Sequence, residues 1–162
     1  MRAEAAEAIV EDATGASWLL CRVGAVIAAL PVEHVIETLR PMPLVPVAGA
    51  PPYIRGLSVI RGVPVAVVDA GHLVGGTPNE ATRFVVVRTG DRMVALAVDA
   101  VIGVTPLDDD LCGELPPLLQ DAASETIGAI GARDADLLIF LHAGRLVPDD
   151  VLARLNSAGA AP

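Results

Sequence analysis

Lysine is absent from this 162-residue chain, and all eleven basic residues are arginine. That excludes a lysine Schiff base and the lysine of a phosphate-binding loop. It leaves planar, bidentate contacts as the way positive charge is used. Aromatic residues amount to 2%, so Val, Leu, Ile and Ala must pack the core of a chain that is 53% hydrophobic. Cysteine occurs twice, as Cys21 and Cys112, without the CxxC spacing of redox or metal sites. Both read as small buried hydrophobes. His34, His72 and His142 lie far apart and share no metal-ligand spacing. No cofactor or metal is expected.

Long uncharged apolar runs are missing too. A spanning helix needs about 20 of them, and the best stretch, Met93 to Leu107, is interrupted by Asp99. The formal charge of −9 makes nucleic acid and anionic lipid poor partners. Residues 1–16 are acidic and lack the apolar segment of a secretory signal. They are expected to form a flexible tail, as are residues 156–162. The expected location is the cytoplasm, with no insertion into a membrane.

What is present is a series of short apolar segments broken by Gly and Pro. Ser17 to Val23 and Val26 to Leu30 read as two strands around Gly24-Ala25. VEHVIETL (32–39) begins with helical spacing, but its β-branched content predicts a short turn leading into a strand. PMPLVPVAGAPP (41–52) carries five of the thirteen prolines and must be a loop. Gly56 to Ile60 and Val63 to Asp69 predict a hairpin around Arg61-Gly62, where Gly62 supplies a positive φ. A helical turn follows over Ala70 to Val74. Arg83 to Arg88 and Arg92 to Val98 predict a second hairpin, continued by Ala100 to Thr105. DDDLCGELPPLLQDAASE (108–125) reads as a long solvated loop. Ile127 to Ala132 and Leu137 to His142 predict a third hairpin, with a final strand over Gly144 to Val147. A helix is expected from Pro148 to about Leu155, with acidic residues at its start. About ten short strands at this spacing predict small β-barrels or a sandwich.

Catalytic patterns are not found. GxSxG, HExxH and phosphate-cradling glycine motifs are missing. Asp69 and Asp99 end similar apolar strands, PVAVVDA (64–70) and VALAVDA (94–100). A pair of carboxylates held about 5–9 Å apart in a cleft would suit a small β-barrel hydrolase. The alternative is that each caps a turn by accepting backbone N–H bonds. Surface is the other place for function. Val63 to Val68 and Val94 to Val98 are apolar on both faces, so one face fills a core and the other needs a cover. Two subdomains covering each other would supply it, and so would a partner protein. Glu37 and Arg61 can form an exposed ion pair if the first strand region pairs beside the Arg61 hairpin. Its value would lie in specificity rather than stability.

At these residues the chain resembles the CheW family, the coupling proteins of bacterial chemosensory systems. The carrying stretch is APPYIRGLSVIRGVPVAVVDAGHLVG, with VEHVIETL before it and RFVVVRTGDRMVALAVDAVIGV and TIGAIGARDADLLIFLHAGRLV after it. Order and spacing agree from about Ser17 to Leu155, defining one domain over 17–155. The resemblance implies an all-β fold of two intertwined SH3-like five-stranded β-barrels with short helices. It implies a non-catalytic adaptor between chemoreceptor cytoplasmic tips and the regulatory domain of a CheA-like histidine kinase, in arrays at the inner face of the membrane or in the cytoplasm. Partner contacts are then expected at Val35, Glu37, Arg61, Gly62, Val86 and Val98, in a groove between the barrels. The chain departs from the family pattern in three places. Val59 stands where Asn is usual, Ala70-Gly71 where Leu-Arg is usual, and His142 to Leu146 lack the usual Asp-x-Asp-Arg-Leu. These changes favour, as an alternative, a divergent module that binds only the receptor or inhibits assembly, in a pilus, gliding or other pathway.

Overall fold

A computed structural model describes residues 17–75, 77–78, 80–107, 127–142 and 146–160. The acidic stretch 1–16, Cys112 and the Asp108-Asp109-Asp110 run lie outside them. Ten strands and two helices are described: β1 (Ser17–Val23), β2 (Val26–Pro31), β3 (Val35–Leu39), β4 (Ile54–Ile60), β5 (Val63–Asp69), α1 (Ala70–Gly75), β6 (Arg83–Thr89), β7 (Arg92–Val98), β8 (Ala100–Pro106), β9 (Ile127–Arg133), β10 (Asp136–Leu141) and α2 (Asp149–Ala160). A 3-10 turn over Val32–His34 precedes β3, as the mixed pattern of VEHVIETL predicts.

The strands form two five-stranded sheets, ordered β8-β1-β2-β10-β9 and β3-β6-β7-β5-β4. Each is antiparallel except at one central pair. β10 runs parallel to β2, and β5 parallel to β7. The similar segments ending in Asp69 and Asp99 are therefore parallel neighbours in one sheet, with Ala66 opposite Val94.

Alternation along the strands decides what covers what. In β7, Val94, Leu96 and Val98 face a core shared with the other sheet, while Ala95 and Ala97 face a second core. β1 and β10 divide likewise, with Leu19, Cys21, Ile139 and Leu141 in the shared core and Leu20, Leu138 and Phe140 in a third. Both faces of the central strands are thus covered from within the chain, and the two sheets cover each other. In the third core Trp18 meets Phe140 edge-on, at 4.9 Å between ring centroids. With few aromatics available, small branched side chains do the packing.

Turn chemistry fixes the hairpins. Arg61 (φ 51) and Gly62 (φ 80) are both left-handed, as a two-residue hairpin turn demands. The proline-rich segment joins the two edge strands β3 and β4. It is pinned by Val45, whose N–H donates to Leu57 O (2.8 Å) and whose O accepts from Leu57 N (2.9 Å). Ser58 Oγ donates to Pro43 O at 2.8 Å.

Three expectations need revision. β4 begins at Ile54, two residues before Gly56. No strand forms at the end of the 144–147 segment, because Leu146 and Val147 lie in a bend and are buried in the shared core. α2 runs to Ala160, well past Leu155 and through most of the assigned tail. Val151, Leu152 and Leu155 anchor it in the shared core.

Candidate functional site

β3 and the β4–β5 hairpin are not sheet neighbours, so the pairing set above as the condition for a Glu37–Arg61 contact does not occur. β3 pairs with β6 and forms one edge of its sheet, while β4 forms the other. Arg61 nevertheless reaches Glu37 from the hairpin tip. Its Nε donates to Glu37 Oε2 at 2.7 Å, and its Nη2 to Oε1 at 2.8 Å. The pair therefore links elements at the two edges of one sheet. A bulge between Val35 and Glu37 separates these two residues along β3. The bidentate form suits guanidinium against carboxylate.

The Arg61 side chain is 77% exposed and that of Glu37 is 22% exposed. The hydrogen bonds from Arg61 hold the Glu37 carboxyl below its ordinary range against some desolvation, and its charge acts in the same direction. The same bonds push the Arg61 guanidinium up. Both groups stay charged near neutrality.

The hairpin that carries Arg61 also exposes apolar side chains. Val59 is 61% exposed and Val63 44%, and Pro64, opposite Val59 in the ladder, is exposed as well. Gly62 is exposed at the tip. Val35 is half-buried against the shared core.

Val86 and Val98 fall elsewhere. Val86 lies in the second core with Phe84 and Ile60, and Val98 in the shared core. Both are fully buried, so neither presents a side chain to a partner. Val86 stands opposite Glu37 in the ladder and supports it from within. The structure adds Val59, Val63 and Pro64 to this surface. The signal in the sequence was an apolar residue at 59 and a Val-Pro pair directly after the turn.

The two aspartates that might have formed an acid–base pair are each committed to structure. Asp69 is buried and accepts from Arg55 Nε and Nη2, both at 2.7 Å. Its other oxygen takes the His72 N–H at 2.8 Å and so caps the start of α1. Asp99 Oδ2 accepts the Gly24 N–H at 2.9 Å and ties the β1–β2 turn to the β7–β8 link. These are the turn-capping roles set against catalysis above. Among the described residues no group of three or more His, Cys, Asp or Glu is placed to hold a metal. No helix among them is long and apolar enough to cross a membrane.

Comparison with known proteins agrees with this architecture. A sequence model of the CheW-like domain matches residues 17–151. Chemotaxis protein CheW of Klebsiella aerogenes is 26% identical over 114 residues, covering 68% of this chain and 69% of that one. Protein FrzA of Myxococcus xanthus is 34% identical over 131 residues, covering 76% of each. The crystal structure of the scaffolding protein TtCheW from Thermoanaerobacter tengcongensis superposes with a TM-score of 0.69 at 20% identity, over 82% of this chain and 92% of that one. With two five-stranded sheets in this arrangement and a match over residues 17–151, the chain belongs to the CheW-like domain family.

Proposed function

We propose that this chain is a cytoplasmic, non-catalytic chemosensory adaptor that couples the cytoplasmic tip of a chemoreceptor to the regulatory domain of a CheA-like histidine kinase. Membership of a scaffold family supports the general role. The observation that carries the receptor assignment is the bidentate Glu37–Arg61 pair, reached from an exposed hairpin tip whose strands also expose Val59, Val63 and Pro64. Exposed charge beside uncovered apolar surface is the chemistry of a specific protein contact. Val35 and Gly62 border that surface. The departure at Ala70-Gly71, where the family pattern has Leu-Arg, favours a second reading in which receptor binding is retained and kinase binding is lost.

The test is a calorimetric titration of the full chain against the kinase regulatory domain of the same genome, and separately against a soluble receptor tip. Saturable binding to both supports the coupling role, and receptor binding alone selects the second reading. Arg61→Ala should weaken the receptor complex about tenfold or more while leaving kinase binding and the melting temperature nearly unchanged. If receptor affinity survives Arg61→Ala, the assignment of this surface fails.

A further inference from the structure

The proline-rich segment between β3 and β4 meets α2 before it enters β4. Between residues 47–51 and the first turns of α2 lies a small cleft of about 140 Å³. Among the described residues, Val47, Ala50 and Pro51 form one wall, and Val151 and Leu155 form the other. Val151 and Leu155 stand four residues apart, on one face of the helix. The loop wall is fixed in advance. The Ala50 N–H donates to Val47 O at 3.3 Å, with Gly49 at φ 81 inside that turn, and the Ile54 N–H donates to Pro51 O at 2.9 Å. A wall already ordered lowers the cost of binding against it.

The volume decides what fits. It is well under the roughly 300–1,000 Å³ of small-molecule sites. It is close to the roughly 150 Å³ of an engineered cavity that takes one benzene ring. One large aliphatic side chain therefore fills the cleft. The charged side chain that lines it is Arg154, which is exposed. No carboxylate among the described residues pairs with Arg154, although Asp150 lies one turn earlier on α2. Its planar donors remain available for a carboxylate from outside.

We propose that this cleft docks a partner-protein segment in which a large aliphatic residue is followed by an acidic one. The aliphatic side chain enters between Val47 and Val151, and the carboxylate accepts from Arg154 at the rim. The net charge of −9 repels an acidic segment at long range. That repulsion is screened beyond about 8 Å at physiological salt, so the contact with Arg154 decides. The site shares no residue with the Glu37–Arg61 surface, and its test does not depend on the adaptor reading.

The experiment is an NMR titration of the ¹⁵N-labelled full chain, at physiological salt, with a capped five-residue peptide whose central leucine precedes a glutamate. Two comparison peptides carry glutamine for the glutamate or alanine for the leucine. The leucine–glutamate peptide should shift the Gly49, Ala50 and Val151 amide signals saturably, and each comparison peptide should bind at least fivefold more weakly. Arg154→Gln should weaken binding at least fivefold with an unchanged melting temperature, because the side chain is exposed. Arg154→Lys, which keeps the charge, should recover part of that loss. Equal binding of the glutamine or the alanine peptide would overturn the proposal. So would the absence of saturable shifts at millimolar peptide, or shifts scattered to other exposed arginines such as Arg83 and Arg133. Acetate binding as tightly as the peptide would assign Arg154 to small anions, and that too would refute a protein partner.

Discussion

Replacing Gly56 by alanine should unfold the protein more easily than any comparable change at a turn glycine. Gly56 has φ +147, a region that other residues occupy only under strain. A Cβ added there would stand 2.5 Å from Val45 O and 3.0 Å from Val45 C, both backbone atoms. Backbone in such a region costs about 1–3 kcal/mol. Moving Val45 aside also strains its two hydrogen bonds to Leu57, each contributing about 1 kcal/mol. The sum is about 3–5 kcal/mol. Gly90→Ala is the control, since Gly90 has φ +67 with open space around it. It should cost only about 1–2 kcal/mol, the left-handed penalty alone. Urea unfolding, followed by circular dichroism, measures both. Equal losses for the two variants, or a loss below about 1 kcal/mol for Gly56→Ala, would refute the argument that the approach of Val45 requires glycine.

Burial in the shared core pushes the Cys21 thiol up to about 12. In a Cys112→Ser background it should resist iodoacetamide in the native state and react at once in urea. The unfolded thiol loses its proton near pH 8.5–9 while the folded one keeps it, so stability should fall by up to about 1.4 kcal/mol per pH unit above that range. Cys21→Ala should remove this slope from urea midpoints measured at pH 8 and pH 10. For Glu37 the sign is opposite. Its folded pKa is lowered, so the pair is intact above the ordinary carboxylate range and lost as pH falls through the lowered folded value. Receptor-tip affinity should therefore stay level from about pH 9 to about pH 5 and fall only below about pH 4. A decline already complete at pH 6 would point to a histidine instead.

The hairpins were legible because their turns require particular residues. Arg61-Gly62 and Gly90-Asp91 stand between strands of matching length, and local chemistry alone dictates the reversal. The two-sided strands were legible as two-sided, but what covered them was not. In a run such as Phe84-Val85-Val86-Val87, alternation separates two faces without saying that both are interior. That is why Val86 and Val98, expected at a partner surface, are core residues. The Glu37–Arg61 pair was foreseen on the wrong grounds, since it arises across the sheet and not between adjacent strands. Only the strand order brings it about, and strand order depends on contacts far apart in the chain. The end of α2 was misjudged because Asn156, Ser157 and Gly159 are poor helix formers. The anchoring of Val151, Leu152 and Leu155 lies upstream of that stretch.

The nesting of one sheet within the other has a consequence for how the protein is made. Strands β3 to β7 form a single uninterrupted stretch of chain, and their sheet is complete once Val98 has left the ribosome. The other sheet is not, because the central partner of Val26–Ala29 is Leu137–Phe140, more than a hundred residues later. During synthesis the β1–β2 hairpin must wait with an apolar flank uncovered, and contacts that distant close slowly. The waiting hairpin is the point at which a nascent chain of this design is most open to mispairing, and where a chaperone or a slow stretch of translation would matter most.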